Sequence, residues 1–197
     1  MVAPYLHLLP HLHLHLHLRR IVPISAWTLV LGVVLVALTS VTWRPLARRR
    51  GWRPLPTAVA LLGLSGALAL TLSPRHWRVN HRNLHQCLPH DWTDLAHAAS
   101  RVGGSLENLL NIAMLVPLGF GLALASRRMW WPVLVVVLLP AAVELAQVMI
   151  PGRECSTADW LANALGGLLG VLVGALLSAV LDRRGGIRRT PPSVRRP

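Results

Sequence analysis

The chain has 197 residues, 53% hydrophobic and 14% charged, and its 20 basic residues, all arginine, against 7 acidic ones give a net charge of +13. With a mean hydropathy of +0.50, this composition excludes an ordinary soluble domain and predicts an integral membrane protein of one bundle. The arginines flank apolar runs and no nucleic-acid motif accompanies them, so membrane lipids are the expected partners and nucleic acid is not.

The chain opens on an alternation of histidine and leucine from Leu6 to Leu18, with His7, His11, His13, His15 and His17. A low-complexity repeat without a second ligand type reads as a tail over residues 1–22. Zinc or copper coordination by neutral imidazoles is the alternative.

Crossing about 30 Å of hydrocarbon takes roughly 17–25 apolar residues. Five segments meet or approach that length: Pro23–Trp43, Pro54–Leu72, Leu106–Ala125, Pro132–Ile150 and Asp159–Leu181. Trp27, Trp43, Trp52, Trp77, Trp130, Trp131 and Trp160 lie close to their ends, as in an aromatic belt. Outside the opening repeat no stretch alternates with period two, so the expected fold is all-α, a polytopic membrane bundle of about five transmembrane helices. Two N-terminal helices occupy 23–72, an extracytoplasmic loop 73–105, and a core of three helices 106–181. The basic tail, 182–197, with Pro191, Pro192, Arg195 and Arg196, is expected to be disordered along the cytoplasmic leaflet.

Arginine placement sets the expected orientation. With the first connection inside, thirteen arginines, from Arg44 to Arg53, at Arg127 and Arg128, and from Arg183 onward, fall on the cytoplasmic side. Seven, namely Arg19, Arg20, Arg75, Arg78, Arg82, Arg101 and Arg153, fall outside. The bias predicts a cytoplasmic-membrane protein with its N-terminus outside and C-terminus inside. Arg19 and Arg20 oppose it at the first span, which also admits a reading as an uncleaved signal-like segment.

Three of the apolar segments carry polar side chains in pairs: Asn108 with Asn111, Glu144 with Gln147, and Asp159 with Asn163. An ionisable residue at the centre of a membrane helix costs about 2.5–3.5 kcal/mol on insertion scales, so such groups turn toward protein or a wet cavity. At 1.5 Å rise per residue, Asn111 lies about 8 Å, Glu144 about 9 Å and Asn163 about 6 Å below the outer ends of their helices. Spacings of three or four residues place each pair toward one side of its helix. A shared polar cluster beneath the outer surface follows if those sides converge.

Two of these helices start at that surface, where unsatisfied N–H groups and the positive end of the helix dipole favour an anion. Arg153, in the short connection between the fourth and fifth spans, adds a guanidinium fork. Ser156, Thr157 and Asp159 also fit a helix N-terminus as capping groups. For Glu144 the structural alternative is an orienting pair with Arg153, Asn111 or Asn163. Pro117 and Pro140 each free a carbonyl four residues earlier and predict kinks. Gly166, Gly170 and Gly174 form a ridge of small residues that fits close helix packing, within the chain or between two copies.

Cys87 and Cys155 are the only cysteines. Both fall on the outer side in the expected topology, which predicts a disulfide. A zinc site drawing on His85, His90 or His97 is the competing reading, and it lacks a paired ligand motif.

The run Glu107-Asn108-Leu109-Leu110-Asn111-Ile112-Ala113-Met114-Leu115-Val116-Pro117-Leu118-Gly119 resembles the first signature of the VanZ-like membrane protein family, an asparagine followed by an apolar stretch and P-x-G. Glu144-x-x-Gln147, Arg153, Asp159, Asn163 and Gly166 follow in the order of its second signature. The likeness covers roughly residues 105–177 and also Leu72-Ser73-Pro74. It departs at Ser156, where members often carry an acid, and at Leu115, where phenylalanine is usual. The resemblance gives Asn111, Glu144, Gln147, Arg153, Asp159 and Asn163 the status of motif positions. It also implies an association with low-level resistance to the glycopeptide teicoplanin.

The expected function is therefore binding of an amphiphilic or anionic cell-envelope ligand at the outer face, a lipid or envelope-precursor headgroup. Asn108, Asn111, Glu144, Gln147, Arg153, Asp159 and Asn163 are the ligand-binding candidates. No cofactor and no metal is expected. The alternatives are an intramembrane hydrolase or transferase using Glu144 or Asp159 as general base, for which no nucleophile arrangement is evident, and a structural assembly subunit.

Overall fold

The computed structural model describes residues 25–74, 87, 89, 91–126 and 128–187. The His/Leu tail, Arg19 and Arg20, the stretch holding Arg75, Trp77, Arg78, Arg82 and His85, and also His90, Arg127 and everything from Arg188 onward lie outside the described residues. Six helices follow one another: α1 (Ala26–Arg50), α2 (Pro54–Thr71), α3 (Trp92–Arg101), α4 (Leu106–Ala125), α5 (Trp130–Gln147) and α6 (Thr157–Ile187). No strand occurs among the described residues. All but α3 are long and apolar enough to cross a membrane, and a helix can do so because it satisfies its own backbone hydrogen bonds.

Local chemistry sets the helix ends. Ser25 and Thr28 cap α1 reciprocally, each side chain bonding the other's backbone N–H, which satisfies two donors that the helix leaves orphaned. α1 runs beyond Trp43, through Pro45, to a last turn bearing Arg48, Arg49 and Arg50, charges that complement the carbonyl end of the dipole. Gly51, at φ 63°, then turns the chain, and Trp52 N–H returns to the Ala47 carbonyl at 2.8 Å. That left-handed conformation is one a residue with a Cβ rarely adopts. α5 stops at Gln147, short of the expected Ile150, because tight turns follow: Met149 N–H bonds Ala146 and Ile150 N–H bonds Gln147, at 3.0 and 2.9 Å. Pro151 disfavours helical geometry in the residue before it.

α4 is the central helix, antiparallel to α2 and parallel to α6. Three close approaches fix the α4–α6 register: Gly166 lies on Ile112, Gly170 on Val116 and Gly174 on Phe120. A Cβ on Gly166 would land on the Ile112 carbonyl oxygen, so the glycine ridge is an internal packing face. Gly119 meets the Gly167 backbone on the same side, whereas Gly121 meets Ala60 of α2. Lipid tails are as apolar as leucine, so close van der Waals approach at small residues takes over the role that water exclusion plays in soluble proteins. α5 docks through Val136 on Gly167. α1 packs on α2 with a buried hydroxyl pair, Thr39 Oγ1 to Ser65 Oγ at 2.9 Å. The core lies between these helices and comprises Ala60, Ala67, Leu115, Leu118, Leu122, Ala123, Val136 and Val171.

One end of the bundle gathers the last turns of α2 and α5 and the first turns of α1, α4 and α6. The opposite end carries Arg48, Arg49, Arg50, Arg53 and Arg128, and there Arg53 pairs with Asp182 at 3.3 Å on the exposed surface.

Candidate functional site

The first of these ends is polar. It owes its shape to carbonyls at the end of α2, which have no partner further along their own helix. Gln147 Nε2, on the last turn of α5, donates to the Thr71 carbonyl at 3.1 Å, with both groups buried. Arg153 donates from Nε to the Ser73 carbonyl at 3.0 Å and from Nη2 to the Leu70 carbonyl. The guanidinium fork thus closes the C-terminus of α2, where the negative end of the helix dipole also favours it.

The connection from α5 to α6 is held from two sides. Cys155 forms a disulfide with Cys87, their Cα atoms 5.1 Å apart, and the Thr157 hydroxyl reaches the Cys87 carbonyl at 3.4 Å. The next residue, Ser156, donates its backbone N–H to Glu144 Oε2 at 3.0 Å, and its hydroxyl accepts from Asp159 N–H at 3.3 Å. Ser156 is therefore the N-cap of α6, and Glu144 takes the N–H just ahead of that helix. Arg153 and Asp159 lie close enough to Glu144 for direct Coulombic interaction. Farther down α6, Trp160 Nε1 donates to the Val137 carbonyl at 3.1 Å, beside the carbonyl that Pro140 leaves without its helical donor.

The deeper polar residues extend the rows of the hydrophobic core. On α5, Val136, Pro140, Glu144 and Gln147 form one buried row. On α6, Asn163 stands one turn before Gly167, the residue on which Val136 packs. On α4, half-buried Asn111 stands one turn before buried Leu115. Glu144 and Asn163 lie on the buried sides of α5 and α6, whereas Asn111 is half-buried. Glu144 is 4% and Asn163 3% exposed. Asn163 Oδ1 has no hydrogen-bond partner among the described residues, and the only hydrogen bond to the Glu144 carboxylate there is the one from Ser156.

Asn108 behaves differently from Asn111. A three-residue step leaves it on the neighbouring row with Ile112, which abuts α6. Its backbone N–H is capped by Ser105 at 3.1 Å and its Nδ2 donates to the Arg101 carbonyl, tying the end of α3 to the start of α4. α3 lies within the segment expected as loop, and the signal for it was the N-cap of Asp91, which accepts from Asp94 N–H at 2.9 Å. Its Ala98 is buried while Trp92 is 85% exposed. Among the described residues no group of three or more histidines, cysteines or acids is placed to hold a metal. His85 and His90 lie outside those residues.

The family model described as VanZ/LLP1 matches residues 31–178. This chain belongs to the VanZ/LLP1 family. No curated protein and no solved structure matches it. The family match extends the likeness seen in the motifs back through α2 and most of α1. It thereby takes in both sides of the polar end, the α2 carbonyls and the side chains of α5 and its following loop that bind them. Of the separated pieces of the VanZ-like signature, Arg153 is hydrogen-bonded to the Ser73 carbonyl, and Arg153 and Asp159 lie within Coulombic reach of Glu144.

Proposed function

We propose that this VanZ/LLP1 protein resides in the cytoplasmic membrane with its polar end facing outward, and holds an amphiphilic cell-envelope ligand there. The ligand's headgroup engages the polar side chains that α4, α5 and α6 carry toward that end, and its tails lie along the bundle. The observation that carries this reading is the buried Asn163 Oδ1, an acceptor without a donor among the described residues, one turn deeper than the Glu144 carboxylate. An unsatisfied buried polar atom costs about 1–3 kcal/mol, a penalty that a bound headgroup removes.

In this reading the candidates divide into two groups. Glu144, Asn163, Asn111 and Asp159 are the contacts for the ligand. Arg153, Gln147 and Asn108 hold the walls, because their donors reach the carbonyls of α2 and α3. That division favours a scaffold role for Arg153 over the anion contact expected from sequence. Capture of an envelope lipid or precursor would connect the protein to glycopeptide susceptibility, teicoplanin included.

Native mass spectrometry of the purified protein tests the reading. Wild type is expected to retain an envelope amphiphile that Glu144→Ala loses, while Arg53→Ala, at the far end, retains it. Equal retention by all three would remove the site.

A further inference from the structure

Of the six described helices, α3 alone is too short to span a membrane, and its surface divides three ways. At about 100° per residue, Leu95, Ala99, Trp92 and Ala96 share one side of it, and Thr93, His97, Arg101 and Asp94 the opposite side. The contact with the bundle falls at one edge of the apolar side: α3 packs on α6, Ala98 is 1% exposed and Leu95 is half-buried. Past Leu95 the apolar side continues outward to Ala96 and Trp92, both exposed, Trp92 at 85%. Packing within the chain thus uses only part of the apolar side, and the part left open ends in the largest side chain of the helix.

The attachments of α3 set its level. α4 has 20 residues, a rise of about 30 Å that only just matches the hydrocarbon thickness, so its start lies at the membrane boundary. Leu106, Leu109 and Leu110, in its first turns, are exposed apolar side chains. Asn108 Nδ2 fastens the Arg101 carbonyl, at the end of α3, to that start. At its other end α3 is capped by Asp91, four residues after Cys87 and so within about 14 Å of it at full extension. Cys87 is bonded to Cys155, just ahead of α6, and α6 begins at the same end of the bundle as α4. A helix of 10 residues, about 15 Å long, held near both ends at the starts of two spanning helices lies along the boundary.

We infer that α3 is an interfacial helix whose open apolar side is covered by lipid, at the headgroup–acyl boundary of the leaflet at the polar end. Trp92 and Ala96 meet the lipid, Ala98 meets the bundle, and Thr93, His97, Arg101 and Asp94 face water. An indole suits that level, because its ring packs on acyl chains while its N–H meets headgroups. The exposed leucines at the start of α4 present the same kind of surface at the same level. With one arginine and one aspartate in the helix, attraction to anionic lipid contributes little, and apolar contact together with the two attachments holds α3 in place. The headgroup layer is hydrated, so α3 stays within reach of small water-soluble thiol reagents. This inference stands apart from the ligand reading: it places the connection bearing Cys155 and Ser156 among headgroups whether or not one is bound.

The test uses full-length protein in vesicles of phosphatidylcholine and phosphatidylglycerol. Trp92→Cys, Ala96→Cys, Thr93→Cys and His97→Cys each carry a maleimide nitroxide, the native cysteines being joined to each other. Accessibility to oxygen, which partitions into the bilayer, relative to a water-soluble nickel chelate is expected to be several-fold higher at 92 and 96 than at 93 and 97. In protein without added labels, lipids brominated high on the acyl chain are expected to quench the emission that Trp92→Phe lacks, and aqueous acrylamide to quench it little. Should Trp92→Cys not fold, Ala96→Cys and Trp92→Phe read the same side of the helix.

Equally high access of the chelate at all four positions, with acrylamide quenching the Trp92 emission, would put α3 in water and overturn the inference. Low access of both oxygen and chelate at 92 and 96 would mean that protein, a second copy or another partner, covers this side, and would overturn it as well.

Discussion

Arg153 donates its Nε to the carbonyl of Ser73 at 3.0 Å across 80 residues of sequence, so the loop leaving α5 is fastened to the end of α2. The same guanidinium reaches Leu70. Two carbonyls on one planar fork is a geometry that lysine cannot reproduce. Arg153→Lys and Arg153→Met are both expected to destabilise the bundle by about 1–3 kcal/mol, the penalty for leaving partly buried carbonyls unpaired. Thermal unfolding in detergent reads this. A charge-only role would leave the lysine variant at the wild-type value.

Glu144 separates folding from function. Its Oε2 accepts the Ser156 N–H, and a glutamine amide oxygen can accept the same bond. Glu144→Gln is therefore expected to fold with nearly wild-type stability while losing ligand retention. Glu144→Leu leaves the Ser156 N–H without its acceptor, and a loss of about 1–3 kcal/mol is expected. If glutamine and leucine unfold at the same lowered temperature, the carboxylate's charge rather than its hydrogen bond holds the loop.

What the sequence disclosed follows from which physical signals are local. Hydropathy over twenty residues located the five long helices, since the requirement to shield backbone groups from lipid acts on each segment separately. The placement of Glu144 and Asn163 toward the interior was legible because a charge or amide facing lipid is costly. The partners of Arg153 and Gln147 were not legible: they are carbonyls, identical at every residue, and only tertiary packing selects Leu70, Thr71 and Ser73. α3 escaped because ten residues of mixed polarity carry no span-length signal. The two asparagines of α4 looked like one pair, yet a three-residue step falls 60° short of a full turn. That angle leaves Asn108 buried, with its amide taken up by the Arg101 carbonyl, and Asn111 half-buried.

The Cys87–Cys155 disulfide closes a 68-residue separation that includes α3, α4 and α5. The chain-entropy model gives about 4 kcal/mol for a loop of that size in a fully unfolded chain. Helices that persist in detergent reduce that entropy, so the expected loss for Cys87→Ser with Cys155→Ser is about 1–3 kcal/mol. Peptide mapping under non-reducing conditions is expected to find the two cysteines linked. Because Cys155 adjoins Ser156, the double variant is also expected to weaken ligand retention, whereas a purely peripheral staple would leave retention unchanged.

Gly166 has no room for a side chain: a Cβ there meets the Ile112 carbonyl oxygen and carbon. Gly166→Val is expected to push α6 from α4 and destabilise by about 1–3 kcal/mol or more. Gly66, on α2, has nothing within 4 Å of its notional Cβ, and Gly66→Ala is expected to be neutral or slightly stabilising. Unfolding temperatures of the two variants distinguish a packing requirement at Gly166 from a general intolerance of helix substitution.

Sidedness determines which compartment the polar end serves, and the two ends of the bundle offer matched reporters. Ala99 on α3 and Arg128 before α5 are both exposed, and the native cysteines are joined to each other, so Ala99→Cys or Arg128→Cys supplies the single reactive thiol. Arg128 belongs to the end rich in arginine, which the positive-inside bias assigns to the cytoplasm. A membrane-impermeant maleimide applied to intact cells is expected to label Ala99→Cys and to label Arg128→Cys only after permeabilisation. The opposite pattern would turn the polar end with Glu144 toward the cytoplasm, where an envelope headgroup of the outer leaflet could not reach it. It would also place a disulfide in a compartment that reduces disulfides, so labelling and disulfide mapping check the same orientation independently.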